Sequence, residues 1–235
     1  MLEISEIHTF YGRSHILQGV SMEVRANEIV CLLGRNGVGK TTTLKSVIGI
    51  VPPRMGHVFF EEKEITGLPP YKVSKIGIGY VPEDRRIFPG LTVRENLNLG
   101  FGNARSMSES WKKGRWERVL QYFPILEERI GQAGDTLSGG EQKMLAIARV
   151  LVGHTRLILL DEPTEGLSPI LGKILTEIIQ EIRKDGIAVL LVEQNAKTAI
   201  KVSDRGYILE KGVICFKGMK QELETSSVVR ERCGI

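Results

Sequence analysis

Gly34-Arg35-Asn36-Gly37-Val38-Gly39-Lys40-Thr41-Thr42 lies between an apolar run, Ile29 to Leu33, and a segment with helical spacing. The pattern G-x-x-x-x-G-K-[ST] makes a phosphate cradle from three parts. Glycines let backbone N–H groups turn toward an anion that a Cβ would hold off. The following helix aims its positive dipole end at the same anion. Lys40 supplies a point charge for the outer phosphates, and the Thr41 hydroxyl is a ligand type suited to Mg²⁺. The pattern arises by chance in about one chain of this length per hundred, and its context is specific as well. Leu44, Val47, Ile48 and Val51 fall on one helical face, and Pro52-Pro53 are expected to stop that helix.

The rest of the chain is ordinary in bulk. Of 235 residues, 26% are charged and 42% hydrophobic, with a net charge of +4, the profile of a globular protein with ample core. No Lys/Arg run reaches the length of a nucleic-acid-binding arm, so no nucleic-acid partner is expected. Three cysteines (Cys31, Cys215, Cys233), far apart and outside any C-x-x-C spacing, suit a reducing compartment rather than a disulfide framework or a zinc site. The amino-terminal MLEISEIHTFYG has acidic residues and no apolar h-region, unlike a secretory signal. The longest apolar run, Ile187 to Val192, is far short of a membrane span.

Working outward, the first sixty or so residues read as strands at Leu2–Phe10, Ile16–Val24, Glu28–Leu33 and His57–Glu61. Character changes from about residue 84 to 153, where helices are expected around Val93–Leu99, Lys113–Phe123 and Gly140–Val152. Leu157–Leu160 and Ile187–Val192 then read as strands buried on both faces. The amphipathic stretch between them, with Leu171, Ile174, Leu175, Ile178 and Ile182 on one face, completes a βαβ unit. A hairpin turning at Lys211-Gly212 and a short helix close the chain. This pattern predicts one α/β domain over residues 1–235 with a helical insertion.

Two further motifs carry chemistry. Leu157 to Pro163 is an apolar strand ending in Asp161 and Glu162. Carboxyl ends of parallel strands face the ligand crevice, so Asp161 is placed to hold Mg²⁺ and Glu162 to polarise a water attacking a γ-phosphate. The second motif is Leu137-Ser138-Gly139-Gly140-Glu141-Gln142, which precedes a helix carrying Met144, Ile147, Ala148 and Leu151. Ser138 and Glu141 form a capping box. Two glycines in a first helical turn weaken it by roughly 1 kcal/mol each. They are expected where the backbone must approach an anion, which makes a second phosphate-binding device.

Together, the phosphate loop, LSGGEQ and LILLDEP closely resemble the ATP-binding subunits of ABC transporters over nearly the whole chain. The resemblance implies a P-loop NTPase of the ABC type, with a mostly parallel core sheet, an N-terminal antiparallel β subdomain and a helical subdomain. It also implies ATP and Mg²⁺, and a head-to-tail dimer in which Ser138, Gly139, Gly140 and Glu141 of one subunit cover ATP on its neighbour's loop. Tyr11 is then the aromatic that stacks on adenine, and Lys40, Glu162 and Gln194 the catalytic set. Three positions depart from the family pattern: Glu83 where Gln is usual, Ser168 where Asp is usual, and Gln194 where the γ-phosphate histidine is usual. Glu83 can still bridge Mg²⁺ or the water, whereas Gln194 can donate a hydrogen bond but carry no proton.

VPEDRRIFPGLTVRENL and LVEQNA closely resemble the LivF-type subunits of branched-chain amino-acid importers, and the urea and short-amide importers of the same subfamily use very similar subunits. That similarity implies a non-identical second ATPase subunit, or self-association when isolated. It further implies two transmembrane permease subunits, an extracytoplasmic solute-binding protein and a peripheral place on the cytoplasmic face of the membrane. Trp111 and Trp116, beside Arg105, Lys112, Lys113, Arg115 and Arg118, mark a candidate docking face for the permeases. Soluble ABC ATPases of DNA repair or translation usually carry paired cassettes or long coiled coils, which this chain lacks. A P-loop kinase or GTPase would leave LSGGEQ without a purpose, and no N-K-x-D motif reads guanine.

Overall fold

The computed structural model describes residues 1–84 and 86–233, so Arg85 and the last two residues of the expected 1–235 span lie outside the described residues. The elements follow in the order β1 (Leu2–Tyr11), β2 (Ser14–Val24), β3 (Ile29–Leu33), α1 (Lys40–Val47), β4 (Met55–Phe60), β5 (Lys63–Glu64), α2 (Pro70–Lys75) and β6 (Ile78–Val81). A helical stretch comes next: α3 (Val93–Leu99), α4 (Glu109–Tyr122), α5 (Pro124–Glu128) and α6 (Gly139–Leu151). The chain then runs through β7 (Leu157–Asp161), α7 (Pro169–Lys184), β8 (Ala188–Glu193), α8 (Ala196–Val202), β9 (Arg205–Glu210), β10 (Val213–Met219), α9 (Lys220–Thr225) and α10 (Ser227–Cys233).

Six strands form one sheet in the order β10-β9-β3-β8-β7-β6. All its pairs are parallel except β10 with β9. A second, antiparallel sheet runs β2-β1-β4-β5. Continuous apolar strands divide their side chains between two cores by simple alternation. Val30, Leu32, Leu157, Leu159 and Leu190 pack with α1 and the antiparallel sheet. Cys31, Leu33, Ile158, Leu160, Val189 and Leu191 pack with the helices on the opposite face. Burial there pushes the Cys31 thiol up to about 12, which leaves it inert.

Several boundaries differ from the sequence expectation. Helix α1 ends at Val47, ahead of Pro52-Pro53, because Gly49 turns the chain with φ +76. Val51 therefore falls outside the helix. On α7, Leu175, Ile178 and Ile182 are buried as expected, but Ile174 is exposed and Ile179 takes its place in the core. Strands β5 and β6 and helices α2, α5 and α8 are not among the elements the sequence pattern predicts, and the single short helix expected at the end is two, α9 and α10.

The helical stretch is tied down by polar contacts as well as by apolar ones. Asn96 is fully buried, accepting from Phe88 N (2.9 Å) and donating to the Phe88, Leu91 and Thr92 carbonyls. Arg118 grips Asp185 at the end of α7 through two hydrogen bonds of 2.6 and 2.9 Å. On the expected docking face Arg105 and Lys113 are exposed, while the tryptophans and Arg115 make contacts within the chain. Trp116 stacks near Phe101 and packs against the core, Trp111 meets His154 edge-on, and Arg115 Nε donates to the Leu151 carbonyl at 2.7 Å. Both tryptophans are half-buried.

Two glycines separate backbone need from helix propensity. A Cβ on Gly49 would lie 1.9 Å from the Leu68 carbonyl oxygen, whereas one on Gly114, inside α4, meets nothing within 4 Å. Gly49→Ala is expected to destabilise by more than about 2 kcal/mol, and Gly114→Ala to stabilise by about 0.5–1 kcal/mol. Thermal melts of the two variants check both signs.

Candidate active site

The carboxyl ends of β3, β8, β7 and β6 lie side by side, since Leu33 pairs with Glu193, Asp161 with Val192, and Val81 with Leu160. The phosphate loop, the Asp161-Glu162 pair, the Glu193-Gln194 pair and Glu83 thus emerge along one rim. An open cavity of about 370 Å³ there is lined by Tyr11, Asn36, Gly37, Gly39, Lys40, Thr41, Thr42, Glu83, Glu162 and Glu165. Gly37, at φ +81, has nothing within 4 Å of an added Cβ, so its bare backbone faces open space. Gly34 has another reason to lack a side chain, since a Cβ would lie 2.4 Å from the Leu209 carbonyl oxygen.

Lys40 begins α1 and is only 4% exposed. Its ammonium donates to the Gly34 and Arg35 carbonyls (2.9 and 3.2 Å) and pairs with Glu162 Oε1 at 3.1 Å. Thr41 Oγ1 donates to Asp161 Oδ1 at 3.0 Å, and the Tyr80 hydroxyl donates to Oδ2 at 3.1 Å. Burial pushes the Asp161 carboxyl up, against those two hydrogen bonds, and the Glu162 and Glu83 carboxylates add to the rise. Tyr80 is raised too, by burial and by facing Asp161.

Glu162 itself sits in the left-handed region at φ +46. Its backbone N–H donates to the Val192 carbonyl at 2.9 Å. Beside it, Glu165 is raised chiefly by a hydrogen bond with Glu162. Behind it, Glu193 Oε1 accepts from Thr164 N (3.0 Å) and Thr164 Oγ1 (2.7 Å). Gln194 is exposed and opens on a neighbouring cavity with Glu162, Glu165 and Cys233. Ser168 caps α7, accepting from Leu171 N at 3.4 Å.

The LSGGE segment is elsewhere. Ser138 caps α6 with Glu141 reciprocating (Glu141 N to Ser138 Oγ 3.3 Å, Ser138 N to Glu141 Oε2 2.7 Å), and these bonds hold Glu141 below its ordinary value. Ser138 is exposed, and Gly139, Gly140 and Glu141 are half-exposed, outside the cavity just described. Gly140 has a packing reason as well as an expected binding one, since an added Cβ would lie 2.6 Å from Leu171 Cδ1.

An ABC transporter family profile matches residues 17–165. The chain belongs to that family. The high-affinity branched-chain amino acid transport ATP-binding protein BraG of Pseudomonas aeruginosa is 42% identical, covering 98% of both chains. The probable branched-chain amino acid transport ATP-binding protein LivF of Archaeoglobus fulgidus is 39% identical over 95% of this chain and 94% of its own. The lipopolysaccharide export ATP-binding protein LptB of Escherichia coli K12 is 35% identical over 91% and 88%. Among solved structures, a nucleotide-free cassette from an ABC transporter superposes with a TM-score of 0.85 at 25% identity, covering 100% of this chain and 98% of that one. This ABC protein is therefore an ATPase with the expected α/β architecture.

Sequence reasoning missed Tyr80, Glu165, the Thr164–Glu193 pair and a buried Lys143. Lys143 had a signal, since it shares a stripe with Ile147 and Leu151 on an otherwise apolar face. Tyr80 had one too, two residues before Pro82 at the end of a strand.

Glu193 makes stability depend on pH. Burial raises its carboxyl despite the Thr164 hydrogen bonds and the nearby Lys143. A raised carboxyl binds its proton more tightly folded than unfolded, so stability falls as pH climbs from the ordinary carboxylate range through the raised value. Glu193→Gln keeps an oxygen for Thr164 and removes that loss. Its Tm is expected to equal or exceed the parent's at pH 8 by up to a few degrees, with the gap closing toward pH 4, as read by calorimetry.

Proposed function

We propose that this chain is the ATP-hydrolysing subunit of a branched-chain amino-acid importer, paired with a second ATP-binding subunit and seated on two permease subunits. The observation that carries the reading is the rim cavity: an aromatic, a phosphate loop and three carboxylates line it, while the exposed Ser138 turn is no part of its lining. An exposed, capped helix start outside its own site suits a neighbour's nucleotide. A relative of this fold, an ATP-binding cassette in a post-hydrolysis state with ADP and Pi, is dimeric (TM-score 0.82, 26% identity, 94% of this chain and 99% of that one). Identities of 42% and 39% to branched-chain amino-acid proteins, against 35% to the lipopolysaccharide exporter, favour the importer.

In this reading Tyr11, 45% exposed at the cavity edge, stacks on adenine. Backbone amides from Gly34 to Thr42 and the Lys40 ammonium take the phosphates. The residues fit Mg²⁺: Thr41 and Asp161 offer adjacent oxygens, Glu83 lines the same cavity as Thr41, and these three would hold the ion. The ion, when bound, offsets charge on the β- and γ-phosphates. Glu162 orients the attacking water, and Gln194 donates to the γ-phosphate without accepting a proton. The solute-binding protein belongs to the same proposal.

The permeases have a better landing place than the tryptophans. A groove of about 640 Å³ between α2, the end of α3 and the Phe88 loop carries Tyr71 (60% exposed), Phe88 (49%) and Leu99 (49%). Exposed aromatic anchors around such a concavity suit insertion of a short helix from a partner. No helix among the described residues is long and apolar enough to cross a membrane.

Three outcomes are expected. Because Glu162 holds the Lys40 ammonium, removing its charge frees the lysine for phosphate. Glu162→Gln should thus bind ATP as tightly as the parent or severalfold tighter while hydrolysis falls by about a hundredfold or more; parent-rate hydrolysis would overturn the water-orienting role. In the assembled transporter, Gln194→His is expected to raise turnover severalfold, read by phosphate release. Tyr71→Ala with Leu99→Asp should abolish co-purification with the permeases and leave nucleotide affinity within about twofold.

A further inference from the structure

We infer that Lys143 is the positioning residue that aims Glu162, and that it ties this carboxylate to the helix beginning at Ser138. The inference rests on the role proposed above for Glu162. Lys143 lies in the first turns of α6 and is 1% exposed, among the largest fully buried side chains. A buried ammonium needs acceptors. It finds them on two other segments: Nζ donates to the Glu162 carbonyl at 3.0 Å and to the Glu83 carbonyl at 3.1 Å. One charged group thus joins the LSGGE helix, the loop after β6 and the loop after β7.

The bond to Glu162 falls where the backbone most needs one. At φ +46, Glu162 holds a conformation that L residues with a long side chain rarely adopt. Such strain persists only when the surroundings over-determine it. Here the N–H is held by the Val192 carbonyl at 2.9 Å and the C=O by Lys143 at 3.0 Å, so the peptide groups on both sides are clamped. The clamp sends the carboxylate into the cavity, 3.1 Å from Lys40 Nζ. A neutral apolar residue at 143 would leave the Glu162 and Glu83 carbonyls without that charge-assisted donor. The loop could then relax toward negative φ and swing the carboxylate off the water's line of attack.

Other charges face the same ammonium. Glu165 and Glu193 both sense Lys143, which opposes the rise that their neighbours and burial impose. The charge of Lys143 thus moderates mutual repulsion among these carboxylates. Because the same helix starts at Ser138, displacement of its first turn moves the clamp. Lys143 thus links the turn that begins α6 to the carboxylate beside the phosphate loop.

The experiment compares parent, Lys143→Met and Glu162→Gln in the assembled transporter, measuring ATP turnover across substrate concentration together with assembly and Tm. Lys143 touches no phosphate, so positioning predicts a kcat lower by about tenfold to a hundredfold with KM within about threefold. Parent-level kcat in Lys143→Met, with Glu162→Gln inactive, overturns the role of Lys143 alone. A rise in KM equal to the loss in kcat overturns it too, because that marks general loosening of the site. Glu162→Gln at the parent rate removes the reading of Glu162 and this inference together. Should Lys143→Met fail to assemble, Lys143→Gln, which keeps an N–H donor without the charge, carries the same test: lower kcat at unchanged KM supports the clamp, and unchanged kcat overturns it.

Discussion

A lysine ammonium held almost out of water must have its charge answered, and Lys40 answers it with Glu162 and two loop carbonyls. Desolvation makes such a pair costly to bury and costlier to break. Holding it requires the start of α1, the loop after β3 and the turn after β7 to meet within hydrogen-bonding distance. Adjacent parallel strands ending at one level provide that meeting. The arrangement is also poised. A polyphosphate brings oxygens that compete with Glu162 for the ammonium, and a released Glu162 is free to accept a proton from water. One pair thus connects phosphate binding to the readiness of the base in the proposed chemistry.

Strand side chains make this rim rigid. Alternation along β3, β7 and β8 feeds two separate cores, one beneath the antiparallel sheet and one beneath the helices. Neither face of the central strands is available to water, so the strand ends cannot shift independently. The helical stretch is joined to this body by specific polar contacts: Arg118 to Asp185, Asn96 to the Phe88–Thr92 backbone, and Arg149 Nη2 to the Arg86 carbonyl at 2.6 Å. Those contacts leave a groove with exposed aromatics on one side and an exposed Ser138 turn on another. Both are the faces that the proposed assembly would cover.

The departures from the family pattern take on meaning in this setting. Gln194 is exposed beside Glu162 and Glu165, and Glu165 shares a hydrogen bond with Glu162. A neutral amide beside an acidic cluster stands where an imidazole is usual. Ser168 retains a plain structural task as the cap of α7, which an aspartate would also perform.

Much of this was legible in the chain itself. Hydrophobic period located the central strands and most helices to within a few residues, and Ser138–Glu141 declared a capping box that the structure contains. The phosphate loop, Asp161 and Glu162 could be read because each is local: a few neighbouring residues whose chemistry depends on backbone turns that the same residues dictate. What only the tertiary structure decided is contact between distant segments. Tyr80 reaches Asp161, Lys143 reaches Glu83 and Glu162, and Trp116 turns inward to Phe101. The helix after the phosphate loop ends at Val47, and the turn at Gly49 that follows it packs so close to Leu68, far along the chain, that no side chain fits there. Periodicity and spacing describe one segment at a time, and these features exist only where two segments share the same few ångströms.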